Sequence, residues 1–386
     1  MITLIINGEV YDPDRKGAAD VLVLGGKIAK IGRIDRGAVE ALGVEVAIID
    51  AAECIVAPGF IDPHEHLHGG SGEAGFSTQT PEIRLSEIVT AGITAVVGCL
   101  GIDTTTKTME GLLARAKALK EQGLNAYVWS GGYSVPPASL FESPREDIIF
   151  IEEVIGAGEI AISDYRAAEP DVRELARLVI DTHVGGMLSR KAGVTHFHVG
   201  DGERRLEPIR ALLRETEVQP EWLYLTHVER NEPLMKEAVE ITSSGVFVDI
   251  DVVEEDLAKW LRFFFDNDGD PTRLTVSSDA SFSSPGALYE QLRGCVLDHG
   301  FSFEQVLPLV TANTARVLKL EAKGALDKGK DGDIVVLRKD SLEIVEVIAR
   351  GRRLVAQGRL NVEEPFLEKS TRRISLHGTK HEARKE

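Results

Sequence analysis

The sequence predicts an α/β fold, a (β/α)₈ TIM-like barrel carrying a small β-sandwich domain formed by both chain ends. Three observations predict it. Between residues 54 and 319, short apolar β-rich runs alternate eight times with amphipathic stretches of helical length, the pattern of repeated βα units on a parallel sheet. Strand-like alternation between glycine turns fills residues 1–53 and returns at 320–365, in two halves each too small to be stable alone. Aromatic residues are only 6% against 43% hydrophobic overall, which suits helices packed on parallel strands better than an all-β chain.

Taken in order, residues 1–53 read as strands at 4–6, 21–24, 27–31 and 46–49, broken by turns such as Asn7-Gly8 and Gly25-Gly26. The eight barrel strands are expected at 55–61, 93–97, 126–129, 160–163, 194–198, 223–226, 246–250 and 274–277. Their helices are expected near 81–91, 108–122, 145–155, 171–183, 204–214, 232–243, 254–265 and 285–297. A doubly wound open sheet is the competing architecture, but it wants a glycine-rich phosphate loop after its first strand. Histidines stand there instead. The final stretch, 366–386, is polar with no apolar period and is expected to be a disordered tail, whose His377 and His381 follow no ligand pattern.

The chain has 62 acidic and 44 basic residues, a formal charge of −18, and no basic stretch in its body to meet a phosphate backbone. Nucleic acid is therefore not an expected partner. No run of about 18 apolar residues exists to span a bilayer, and the N-terminus alternates like a strand without the charged flank of a secretory signal. Cys54, Cys99 and Cys295 are scattered, with no CxxC spacing, so neither a disulfide framework nor a zinc ribbon is indicated. A soluble cytoplasmic protein is the expectation, with no membrane partner.

Chemistry concentrates at the strand ends. The first strand runs into Asp62-Pro63-His64-Glu65-His66; in an extended segment residues i and i+2 face the same way, so His64 and His66 can both point into the barrel mouth, and imidazole is a preferred zinc ligand. His198 closes the fifth strand, His227 the sixth and Asp279 the eighth, while Glu159 stands at the fourth. Each alone could be an ordinary hydrogen-bonded polar group. Together they fall at the carboxyl ends of the strands, where barrel active sites form.

These residues resemble the amidohydrolase superfamily, and within it the isoaspartyl dipeptidases, or β-aspartyl peptidases. The resemblance runs through APGFIDPHEH, the GEAG segment at 72–75, TPE, AISDYR, VTHFHVGD, LTHVERN and SSDA, almost the whole chain. It implies a binuclear-metal hydrolase that cleaves the isopeptide bond of β-aspartyl dipeptides through a metal-bridging hydroxide. It implies two divalent ions per subunit, zinc expected, although manganese, cobalt or iron accept the same ligands. By that resemblance His198 and His227 bind one ion, and His64, His66 and Asp279 the other.

One position departs from the family: Glu159 stands where a carboxylated lysine bridges the ions. Carbamate and carboxylate both offer two anionic oxygens, but glutamate is shorter by about 3–4 Å. The backbone must therefore approach the metals, which Ala157-Gly158 would permit. Glu159 is expected to bridge the pair directly. Asp279 is expected to act as general acid/base as well as ligand, and Tyr133 matches a residue that stabilises the oxyanion.

For the dipeptide, the resemblance assigns the free amine to Glu73, the two carboxylates to Arg166 and Arg230, and a further polar contact to Ser283. Ser71 replaces a family glycine and Ile102 a family threonine, which puts the residue preference of the amine end in question. Two other readings stand beside this one. The first is a hydantoinase-like or dihydroorotase-like cyclic amidase or an N-acyl amino acid deacylase, whose substrates lack a free amine and would leave Glu73 unpaired. The second is a non-catalytic scaffold on a retained barrel. A homo-oligomer is also implied by the resemblance.

Overall fold

The structure is a computed structural model that describes residues 2–254, 256–365 and 371. The stretch expected as a tail, with His377 and His381, lies outside the described residues apart from Thr371. Eight parallel strands follow one another in chain order: Phe60–Glu65, Ile93–Gly98, Asn125–Ser130, Val154–Ile162, Thr195–Val199, Leu223–Thr226, Phe247–Asp251 and Leu274–Ser277. The eighth returns to the first through a single bridge, Glu65 to Ala280, with the His66 amide donating to the Ala280 carbonyl at 3.0 Å. The result is a nearly closed (β/α)₈ barrel.

Every residue of these strands is buried except Asn125 and Tyr127, which are partly so, as a sheet covered by helices requires. The barrel interior holds Ile61, Ala95, Val97, Trp129 and Tyr224, and Ala315, Val317 and Leu318 pack into the same cluster. Asn313, beside them, donates to the carbonyls of Pro271 and Leu274 at the start of the eighth strand. These residues cover the amino end of the barrel and leave the carboxyl end open. The outer helices begin with side-chain caps such as Thr108, Ser143, Asp171 and Asn231, each satisfying an amide that a helix start leaves orphaned.

The strands at the two chain ends form one nine-stranded sheet. The strand Cys54–Pro58 joins its halves, pairing parallel with Ile2–Asp12 and antiparallel with Ile334–Arg338. This corrects the reading of 55–61 as a single barrel strand. Both halves of that run are buried and apolar, so hydrophobicity alone could not separate them; the chain changes sheets at Gly59, where an added Cβ would lie 2.3 Å from Thr94 Oγ1.

Asn7-Gly8 is likewise no turn. The strand Ile2–Asp12 runs straight through it with a bulge, Asn7 adopting φ 63°, and a Cβ on Gly8 would meet Val56 Cγ2 at 2.3 Å. The glycine is required by the neighbouring strand of the same sheet, not by a reversal. Gly25-Gly26 is a turn as expected. No helix among the described residues is long and apolar enough to cross a membrane.

Candidate active site

The six expected metal-binding side chains converge at the carboxyl end of the barrel. Glu159 sits at their centre, 1% exposed. Its Oε2 is 3.1 Å from His198 Nδ1, 3.5 Å from His227 Nε2 and 3.6 Å from His64 Nε2, and its Oε1 is 3.8 Å from His66 Nε2. Asp279 Oδ1 lies 3.3 Å from His64 Nε2 and 3.1 Å from His66 Nε2. The donors fall into overlapping groups that could hold a cation, including Glu159 with His198 and His227, and His64 with His227 and Asp279.

The fourth strand explains how the short Glu159 reaches this point. Against the fifth strand its register runs from Ala157 opposite Thr195 to Ile160 opposite Phe197, so one extra residue is inserted between them. Such a bulge re-aims a side chain. Gly158 makes room for it, since a Cβ there would stand 2.7 Å from His196 Cβ. His227 and Asp279 both adopt positive φ, 64° and 44°, a costly conformation for residues other than glycine and one that clusters at functional sites.

The geometry fits divalent cations. His64 Nε2 and Asp279 Oδ1 are buried and, although 3.3 Å apart, neither makes a well-directed hydrogen bond, an expense a protein rarely accepts without a ligand. Around a tetrahedral ion bound at about 2.1 Å, neighbouring ligand atoms stand roughly 3.4 Å apart, and the separations here run from 3.1 to 3.8 Å. Burial favours a neutral Glu159, yet the charge of His64 and the contacts from His198 and His227 hold its carboxyl well below the usual range. Burial also opposes ionisation of Asp279, and His64 and His66 again prevail. Both carboxylates are therefore anionic ligands in waiting.

Outer partners orient the histidines. His227 Nδ1 meets Asp251 Oδ2 at 2.6 Å, His198 Nε2 meets Asp164 Oδ2 at 3.0 Å, and His64 Nδ1 meets His196 Nε2 at 2.9 Å. Cys99 Sγ stands 3.8 Å from His66 Nδ1. Such partners fix ring orientation and tautomer. The sequence reading missed all four. Asp251 carried the clearest signal, a carboxylate closing the seventh strand at the same level as the other strand-end residues.

A cavity of about 190 Å³ opens beside this cluster, lined by every expected substrate residue, Glu73, Arg166, Arg230 and Ser283, and by Tyr133, the expected oxyanion donor. Ser71 and Ile102 line it too. Tyr133 Oη is 2.9 Å from His198 Nδ1, and burial keeps its hydroxyl protonated far above the ordinary phenol range. Arg166 is clamped by Asp164, Nε on Oδ1 at 2.9 Å and Nη2 on Oδ2 at 2.7 Å, and lies over the Tyr133 ring. Its Nη1 donates to Glu73 Oε1 at 2.7 Å. This corrects the expectation that Glu73 would stand unpaired without a substrate amine, because a guanidinium already satisfies it. Arg230 Nε donates to the Val199 carbonyl at 2.9 Å, and Ser283 Oγ is buried without a partner.

The amidohydrolase family profile matches residues 55–356. A β-aspartyl dipeptidase structure from Fervidobacterium islandicum AW-1 is 38% identical, with a TM-score of 0.89 over 94% of this chain and 99% of that one. A second structure from the same organism, in complex with a β-Asp-Leu dipeptide, is 37% identical with a TM-score of 0.87, covering 94% and 98%. Sequence relatives carry other activities. An adenine deaminase from Deinococcus deserti is 27% identical over 86% of this chain, which spans 56% of that protein's length. A dihydroorotase from Lactobacillus gasseri is 25% identical over 87% of this chain and 89% of its own.

Proposed function

This chain belongs to the amidohydrolase family, and from that premise we propose that it cleaves the isopeptide bond of β-aspartyl dipeptides, using two divalent cations with zinc as the expected metal. The observation that carries the substrate is the Glu73–Arg166 pair. A carboxylate and a guanidinium 2.7 Å apart present complementary charges to the adjacent amine and carboxylate of an amino-acid head group. The aspartyl residue of a β-linked dipeptide keeps both of those groups free. Arg230, whose Nη2 like that of Arg166 stands 3.3 Å from His198 Nε2, then takes the second carboxylate of the dipeptide. The β-Asp-Leu complex of the Fervidobacterium protein supports the same substrate class.

His64, His66, Glu159, His198, His227 and Asp279 would hold the cations, Glu159 shared between them. Bound there, they would lower the pKa of water and polarise the scissile carbonyl. Asp279, ionised beside the cleavage point, accepts the proton of the attacking water and returns it to the leaving amine. Tyr133, kept protonated by burial, donates to the developing oxyanion. Asp164 holds Arg166 in a bidentate fork, so the carboxylate meets a preset planar donor. Ser283 offers its unpartnered hydroxyl to the substrate.

A cyclic amidase is the second reading, favoured by the dihydroorotase relatives. The two are separated by release of leucine from β-aspartyl-leucine by zinc-loaded protein, with α-aspartyl-leucine, dihydroorotate and metal-stripped protein as controls. Metal-dependent cleavage of the β-linked dipeptide alone is the expected result. Turnover of dihydroorotate with neither dipeptide cleaved would overturn the proposal.

A further inference from the structure

Next to the cavity described above lies a second, of about 260 Å³, which shares His227, Arg230, Val253 and Asp279 with it. Its remaining walls are acidic. Glu229, Asp251, Glu254 and Asp256 line it, with Lys259 the one further cation. Asp251 is engaged by His227 and by the Val253 amide. Glu229 is 7% exposed, and its Oε2 is buried without a hydrogen-bond partner. The wall also seats an ammonium of the chain itself, since Lys259 Nζ stands 3.9 Å from the centre of the Trp260 ring and 3.7 Å from Asp256 Oδ2. Trp260 Nε1 donates to that same oxygen at 2.8 Å.

We infer that this chamber receives the side chain of the residue on the leaving side of the isopeptide bond and selects a cationic one, making β-aspartyl-lysine and β-aspartyl-arginine the favoured substrates. The inference rests on the β-aspartyl reading above. Arg230 borders both cavities, so a carboxylate bound to it sets the attached side chain at the entrance of the acidic chamber. The methylene stem then runs over Val253, half-exposed and apolar, in the manner of long side chains that bury their stems and keep their charge among polar groups. The head group meets Glu254 and the unpartnered oxygen of Glu229, with the Asp256 carboxylate, already shared with Lys259, beside them. A neutral side chain of equal length leaves that carboxyl oxygen unmet.

The test compares kcat/KM for β-aspartyl-lysine and β-aspartyl-norleucine, equal in length and different in charge, on the metal-loaded full chain. We expect a preference for lysine of about tenfold or more, the factor that a charge-assisted hydrogen bond supplies, falling toward one in the Glu254→Gln/Asp256→Asn double variant. A wild-type ratio near one, or a ratio unchanged in the double variant, overturns the inference. Should the double variant not fold, Glu254→Gln alone, at an exposed position, lowers the ratio roughly threefold. Cleavage of neither dipeptide would refute the isopeptidase reading instead. Calorimetric titration with free L-lysine against L-norleucine then judges the chamber separately: lysine bound in preference, and less so in the variant, supports it, and equal binding overturns it.

Discussion

Glu159→Gln removes the one group that touches both histidine pairs. Its carboxylate lies between 3.1 and 3.8 Å from ring nitrogens of His198, His227, His64 and His66, and Asp279 is the second carboxylate of the cluster. Glutamine keeps the volume but loses the charge, so the anionic charge offered to two dications is halved. Deleting an outer partner of a metal ligand costs about 10–100-fold in affinity. Loss of a direct, shared ligand should cost at least the upper figure, about 2.7 kcal/mol. Metal content after dialysis, with zinc titration against a competing chelator, should give two ions per chain for the wild type and at most one for the variant. The kcat/KM on β-aspartyl-leucine should fall more than about 100-fold. Retention of both ions within about tenfold of wild-type affinity would refute the shared-ligand assignment. Glu159→Lys with added bicarbonate should stay inactive, because the bulge has already advanced the backbone and the longer carbamate overshoots by about 3–4 Å.

Three further outcomes are expected. Gly158→Ala places a Cβ 2.7 Å from His196 Cβ, and His196 supports His64; the cost should be about 1–3 kcal/mol, and an unchanged Tm would show that the close approach is not real. Asp251→Asn strips the charge from the partner of His227 and should weaken metal binding about 10–100-fold with the circular dichroism spectrum intact; unaltered affinity would remove Asp251 from the centre. Burial favours a neutral Glu153, but hydrogen bonds from Lys120 and Lys117 hold its pKa at about 2 against an ordinary 4.5. A depressed folded pKa stabilises above the unfolded value and that stability is lost as pH falls between the two. Glu153→Gln should therefore flatten the decline of stability between pH 4.5 and 2, read from urea midpoints, and an unaltered slope would refute the coupling.

The barrel was legible because its signals are local. Eight apolar runs, each followed by an amphipathic period, need no knowledge of distant residues, and the strand-end histidines stand at the end of their own runs. What escaped depends on contacts between residues far apart in sequence. Gly59 separates two sheets only because Cys54–Pro58 finds Ile334–Arg338 nearly 280 residues later. Asn7-Gly8 carries the usual composition of a hairpin turn, yet the glycine answers to Val56 pressed against it. Asp164, Asp251 and His196 look like any buried polar residue until the imidazole each one touches is known. The Glu73–Arg166 pair joins a loop after the first strand to one after the fourth, and no spacing encodes it.

That pair also bears on how far membership of a family determines chemistry. Adenine deaminase and dihydroorotase relatives share the scaffold, and a barrel with histidines at its strand ends serves hydrolysis of many bonds. Cations held by the cluster around Glu159 would activate water for any of them. Discrimination must then come from the groups that meet the non-reacting parts of the substrate. On the proposed reading those are a carboxylate and two guanidiniums around a cavity of about 190 Å³, a volume suited to a small zwitterion. Asp164 anchors Arg166 from behind through both guanidinium edges, so Arg166 can release Glu73 to a substrate amine without itself losing orientation. A cyclic amide such as dihydroorotate brings a carboxylate to that arginine but no free amine to Glu73, so on the proposed reading the paired carboxylate and guanidinium suit a head group that carries both.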